Sequence, residues 1–164
     1  MVGMSQKLRQ VSLLFLRDDK YIWLAMKKRG FGEGKWNGVG GKPDPDELIE
    51  ETAVRECSEE VLVTPHDLEH VATLDFLFPP EKSALGWDQQ VVVYFSDRWD
   101  GEPTETEEMA PKKFSVDNLP YDNMWDDDKI WLPKVIGGMF VTAEFHFDDT
   151  SKIIDYKIKE RPRK

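Results

Sequence analysis

The chain has 164 residues, 40% of them hydrophobic and 12% aromatic, and a formal charge of -10. This size and apolar content fit one globular domain with a real core and exclude an intrinsically disordered chain. The charge argues against an extended nucleic-acid face and against attraction to an anionic membrane, but not against a small anionic substrate neutralised by metal ions.

The single cysteine, Cys57, allows no intrachain disulfide, which favours a reducing compartment. The N-terminal MVGMSQKLRQ has no long apolar stretch, and no run approaches a membrane span. A soluble cytoplasmic protein is expected, with nuclear or mitochondrial residence open. The charge favours a soluble monomer.

In chain order, VSLLFLRDDKYIWLAMKKRG predicts two strands, residues 9–16 and 21–27, around an Asp-Asp-Lys turn. GFGEGKWNGVGGK follows, and its glycines break regular structure and permit close backbone approach. An acidic helix is expected over residues 46–61, with Asp44 as N-cap, Pro45 at the first helical position and Glu47 completing a capping box. Strands are expected near 68–78 and 90–97, and a polar loop over DGEPTETEEMAPKK. DNMWDDDKIWLPKVIGG predicts a short helix ending at Gly137-Gly138, and MFVTAEFHFDDTSKIIDYKIKE a hairpin turning at 148–151. RPRK reads as a solvated, partly disordered end. The pattern is α+β: a mixed sheet with helices on its faces, in a single domain over 1–164.

The acidic helix needs a reason. At about 100° per residue, Ile49, Ala53, Val54, Cys57 and Val61 share an arc that faces the core. Glu56, Glu59 and Glu60 fall beside it at i, i+3, i+4 spacing, where like charges repel. Three convergent carboxylates make a poor structural device but a good site for a hard cation such as magnesium. A solvated face with Glu51–Arg55–Glu59 ion pairs would account for the spacing alone.

The whole stretch runs Gly41, five residues, Glu47, seven residues, Arg55-Glu56-Cys57-Ser58-Glu59-Glu60, then Val61-Leu62-Val63. It resembles the Nudix box, G-x5-E-x7-REU-x-EE-x-GU, where U is aliphatic. Two positions depart from it. Cys57 replaces a larger aliphatic, and Leu62 replaces the glycine that would end the helix, which puts the helix exit in question. MKKRGFGEGKWNGVGGK, EEMAPKKF, DNMWDDDKIWLP and DYKIKE extend the resemblance over residues 9–160, to the animal MutT-type branch that hydrolyses 8-oxo-dGTP and other oxidised purine nucleoside triphosphates.

The resemblance implies a Nudix fold, an α/β/α sandwich, and magnesium-dependent cleavage to monophosphate and pyrophosphate, with manganese as a substitute. It implies metal ligands at Glu56, Glu59, Glu60, Glu108 and the Gly40 carbonyl. Glu60 is the candidate for activating water, and Arg55 braces the helix through Glu47. Lys27, Gly41 and Lys42 would contact the substrate. Ser12, Phe31, Asn37, Phe76, Trp125, Asp127 and Asp128 would form the base pocket.

Adjacent carboxylates at a purine edge repel unless one is protonated, and burial would favour that proton. Alternatively, residues 126–128 simply cap the following helix. Asp126 stands where that branch has proline, Val39 where it can have phenylalanine, and PPEKSALGWDQQ looks like an insertion carrying Trp87. His66, His70 and His146 are assigned no chemistry. Two rivals remain: a Nudix hydrolase of another diphosphate, such as a dinucleotide polyphosphate, sugar nucleotide or alkylated dGTP, and a non-catalytic nucleotide-binding module.

Overall fold

A computed structural model describes residues 8–163. A five-stranded mixed sheet forms its centre, built from β1 (Arg9–Leu16), β6 (Gln89–Ser96), β5 (Glu69–Leu77), β9 (Met139–Phe147) and β10 (Ile153–Pro162), in that spatial order. β1 runs parallel to β6 and β5 parallel to β9, while β5–β6 and β9–β10 are antiparallel. A three-stranded sheet orders β3 (Trp36–Asn37), β2 (Tyr21–Lys27) and β8 (Met109–Ser115), and β4 (Thr64–His66) pairs with β7 (Arg98–Asp100).

Strand alternation explains why both faces of the central sheet are covered. Val91, Val93 and Phe95 point to one side with Phe15, where Trp131, Leu132 and Val135 of α3 (Asp128–Ile136) cover them. Val92 and Tyr94 point to the other with Leu14 and Leu16, where Ala53, Cys57 and Val61 of α1 (Ile49–Val61) cover them. The result is the expected α/β/α sandwich. α2 (Pro80–Ser83) is a single turn in the β5–β6 connection. No helix among the described residues is long and apolar enough to cross a membrane.

The structure corrects several expectations. Strands β1 and β2 occupy their expected residues, but they enter different sheets and share only the Arg17–Ile22 bridge. α1 begins at Ile49 rather than residue 46, because Asp46 takes a left-handed φ of 65° that no α-helix can contain. Glu47 does receive the Asp44 N–H at 2.9 Å, but within a separate turn, and Glu51 receives the Leu48 N–H at the true helix start. The polar loop ends at Met109, where β8 pairs along β2 with Pro111 on the outer edge strand. The C-terminal RPRK is ordered through Arg163: β10 runs to Pro162, and the Arg163 guanidinium donates to the Val135 and Met139 carbonyls and pairs with Glu69. Lys164 lies outside the described residues.

Candidate active site

The segment before α1 lies alongside the free edge of β1. Ser12 N–H donates to the Gly41 carbonyl at 2.9 Å, and Val39 and Leu14 exchange backbone bonds. The approach is so close that a Cβ on Gly40 would sit 1.9 Å from the Ser12 carbonyl oxygen. A Cβ on Gly41 would meet the Glu56 carboxyl carbon at 2.6 Å. Both residues must be glycine for the acidic face of α1 to press against this backbone.

Arg55 organises that face. Its Nε and Nη2 donate to the two oxygens of Glu47 at 2.8 and 3.0 Å, a bidentate pair. Its Nη1 reaches Glu56 at 2.9 Å and Glu59 at 3.3 Å, and Nη2 also holds the Lys42 carbonyl. The Arg55 hydrogen bonds hold the Glu47 carboxyl down at about 2, and Glu47 in turn raises the Arg55 pKa. Two of the three carboxylates expected to converge are therefore held by a base, and the Arg55–Glu59 part of the alternative ion-pair reading is present. Glu56 and Glu59 turn toward Arg55, and among the described residues no three acidic, histidine or cysteine side chains already stand as a cage for an ion.

Glu60 is different. It is 5% exposed and accepts the Gly40 N–H at 3.0 Å. Burial is the main cause that pushes its carboxyl up to about 8, helped by the charges of Glu56 and Glu108 and opposed by the Gly40 bond and Lys27. Glu56 is also raised, mainly by burial, with Glu59 and Glu108 adding repulsion. The Glu108 loop is anchored on both sides: Lys28 N–H donates to the Glu108 carbonyl, Thr106 Oγ1 donates to the Glu60 carbonyl, and Lys28 Nζ pairs with Glu105.

A cavity of about 270 Å³ runs from Glu60, Lys27 and Lys42 to an aromatic end. Its far wall carries Trp125, Asp127 and Asp128, its mouth Phe31, and its sheet floor Val11, Phe76, Phe78, Gln89, Val91 and Phe147. Asp127 and Asp128 are 1% and 2% exposed. Asp127 Oδ2 accepts the Trp131 indole N–H at 2.7 Å, while its Oδ1 is buried without a partner. Asp128 accepts the Trp125 backbone N–H at 3.2 Å. Burial raises both carboxyls, Asp127 to about 6, and the Asp127 charge drives Asp128 higher still. Asp127 occupies the N-cap position of α3 but makes no side-chain cap bond, so capping does not account for its carboxylate.

All eleven residues expected to bind substrate line this one cavity: Ser12, Lys27, Phe31, Asn37, Gly40, Gly41, Lys42, Phe76, Trp125, Asp127 and Asp128. The Ser12 hydroxyl is engaged by Gly41, accepting its N–H at 3.2 Å, and Asn37 Oδ1 accepts the Gly38 N–H at 2.8 Å. Glu47, Arg55, Glu56, Glu59 and Glu108 stand outside the lining, behind or beside Glu60. The sequence reading missed Lys35, Phe78, Gln89 and Phe147 as lining residues. Of these, Phe78 had a signal: it lies two residues beyond Phe76, just past the end of β5, where strand alternation would carry it to the same side.

A model of the NUDIX domain matches residues 6–135. The chain belongs to the Nudix family. It is 37% identical over 139 residues to the oxidized purine nucleoside triphosphate hydrolase of Danio rerio, covering 85% of this chain and 86% of that protein. It is 35% identical over 152 residues to the Mus musculus protein of the same name, covering 93% and 95%. Among solved structures, a MutT protein of Bacillus halodurans superposes with a TM-score of 0.79 at 23% identity, over 93% of this chain and 98% of that one, and shows the same Nudix fold.

Set against the Nudix box, the departures are absorbed locally. Cys57 is fully buried under the sheet, and its thiol is pushed up to about 12, mainly by burial. Leu62 takes the left-handed conformation of the missing glycine, with φ 62° and ψ 36°, so the helix exit keeps its usual geometry at the expense of strain. Asp126 fixes the second strand of the terminal hairpin by accepting the Ile153 N–H, and Val39 is buried against α1. No histidine lines the cavity: His66 pairs with Asp100, His70 with Thr73, and His146 with Glu144. A Nudix metal fits this donor set, since Glu56 and Glu60 bring hard oxygens to the Gly40–Gly41 backbone and the Glu108 charge acts on both.

Proposed function

We propose that this Nudix enzyme hydrolyses oxidised purine (deoxy)nucleoside triphosphates such as 8-oxo-dGTP to the monophosphate and pyrophosphate. Relatives that carry this activity in their names support the reading along most of both chains. The observation that carries it is the buried Oδ1 of Asp127, without a partner, beside Asp128, whose carboxyl burial and the Asp127 charge push well above its ordinary value, at the aromatic end of a cavity whose other end is Glu60.

In this reading Trp125 stacks on the base. Asp128 donates its proton to a base carbonyl, and Asp127 Oδ1 accepts a ring or amino N–H. An oxidised purine presents such a donor and acceptor along one edge, and the Asn37 amide supplies a further polar contact. Lys27 and Lys42 hold the phosphates. Glu56, Glu59, Glu60, Glu108 and the Gly40 carbonyl would hold magnesium, for which manganese substitutes. When bound, the ion offsets phosphate charge and makes water a better nucleophile. Glu60, buried and hydrogen-bonded to the Gly40 N–H, takes the proton of the attacking water as the carboxylate, the form that a neighbouring cation favours. Arg55 and Glu47 keep the helix registered without touching substrate. The protein works as a monomer, a single Nudix domain over 1–164, on free nucleotides of the cytoplasmic pool rather than on polymers or membranes.

The test is product analysis with magnesium and equal amounts of 8-oxo-dGTP and dGTP, beside Glu60→Gln. Selective loss of 8-oxo-dGTP to monophosphate and pyrophosphate, abolished in the variant, is the expected result. Equal slow loss of both would discard the base pocket and keep the Nudix chemistry.

A further inference from the structure

The loop joining β5 to β6 carries Trp87, which no part of the proposed chemistry uses. The loop is firmly built. Asp88 Oδ1 accepts the Phe78 N–H at 2.9 Å, and Oδ2 accepts the Ser83 hydroxyl at 2.7 Å. Arg9 Nη2 donates to the Gly86 carbonyl at 2.7 Å, tying the loop to the start of β1. Trp87 N–H donates back to the Lys82 carbonyl at 3.1 Å, and the Lys82 ammonium lies 4.0 Å from the indole ring centre.

So held, the indole meets two rings that line the cavity. Its centroid lies 4.8 Å from Phe31 and 5.4 Å from Phe78, both edge-on. Trp125 lies 5.1 Å from the other side of Phe31, and Phe147 stacks on Phe78 at 5.0 Å. The aromatic rim therefore runs unbroken from the far wall to the sheet floor, and Trp87 is the link between its two halves. Phe31 needs that link. It is 56% exposed, and its turn contains Gly30, Gly32 and Gly34 at left-handed φ, outside any strand or helix. Backbone bonds from Gly34 N–H to the Lys27 carbonyl and from Glu33 N–H to the Gly30 carbonyl close the turn, and the ring contacts hold the exposed Phe31 side chain in place on it.

We propose that Trp87 is a positioning residue for substrate: acting through Phe31 and Phe78, it closes the cavity mouth over a bound purine and keeps water from the Asp127–Asp128 edge. This rests on the reading that the cavity holds the base. Water at that edge would compete for the hydrogen bonds that tell an oxidised purine from an ordinary one. Trp87 thus acts on base binding and selectivity, not on the hydrolytic step.

The experiment compares wild type, Trp87→Ala and Trp87→Phe on 8-oxo-dGTP and dGTP, with melting temperatures. In Trp87→Ala, KM for 8-oxo-dGTP should rise about tenfold with kcat within about twofold, and its preference over dGTP should shrink, as expected for two lost ring contacts. Trp87→Phe should recover most of that loss. If Trp87→Ala does not fold at the assay temperature, Arg9→Ala releases the loop from outside the cavity and should give the same rise in KM at constant kcat. A folded variant of either kind with unchanged KM and preference overturns the inference alone. A wild type without preference for 8-oxo-dGTP overturns the base-cavity reading, and this inference with it.

Discussion

At one end of the cavity Arg55 touches Glu47, Glu56 and Glu59, and at the other Asp127 and Asp128 meet each other, an indole and a backbone N–H, with no cation among the described residues to pair them. The helix carboxylates are spread over a surface that a guanidinium can reach. The cavity pair is sealed under Trp131 and Trp125, where a charge has little solvation. In the proposed function one group thus has two uses, chosen by environment: charge that gathers cations, and a neutral acid that donates a proton. Glu60 sits between these cases, buried like the pair but belonging to the charged helix.

The comparison is most severely tested at Glu60. Glu60→Gln should lower kcat by at least about a hundredfold, the scale of losing a group that acts in the transition state, with KM little changed. Steady-state kinetics on 8-oxo-dGTP checks this. Arg55→Lys should follow, with activity reduced about tenfold to a hundredfold, since one ammonium cannot reproduce the bidentate hold on Glu47 while reaching Glu56. If charge alone mattered there, the lysine variant would match wild type in a magnesium titration of activity.

The cavity pair predicts a pH dependence of opposite sense to an ordinary salt-bridged aspartate. The folded Asp127 carboxyl is raised to about 6 from 3.8, so between those values the folded protein holds a proton that the unfolded chain releases. Its contribution to stability is fully present below the ordinary value and is lost as pH rises through 6. Urea melts should show stability falling across that window in wild type, and a flatter profile in Asp127→Asn. The smallest effect belongs to Leu62. Leu62→Gly relieves a left-handed leucine and should stabilise the fold by about 1 kcal/mol, less any gain in unfolded-chain entropy, with activity unchanged. A thermal melt that shows no gain would mean that Leu62 makes compensating contacts.

Local pattern was enough for some of this. β1 and β2 have their expected ends because alternation and the Asp-Asp-Lys turn act within a few residues. Ala53, Cys57 and Val61 face the core as their spacing requires. Other features depend on partners far along the chain. Residues 109–113 read as polar loop because an edge strand tolerates lysine and proline; only the pairing of β8 with β2 makes them strand. The tail is ordered by Arg163 reaching Val135 and Met139, which no local signal announces. The start of α1 was misplaced because Asp44 and Glu47 do form a capping-type contact, in a turn of their own. At the site, single residues were readable from the resemblance, but the closure of the cavity by Phe31, Trp87 and Phe78 is purely tertiary.

Cys57 has a practical consequence. It is the only cysteine in the sequence, it is fully buried, and its thiol is pushed up to about 12, mainly by burial. A protein proposed to work among oxidised metabolites thus shields its one oxidisable thiol behind the central sheet. A thiol-reactive dye added to the folded protein would then act as a clock, reacting only as fast as the α1 face opens and timing the breathing of the helix that carries Glu60.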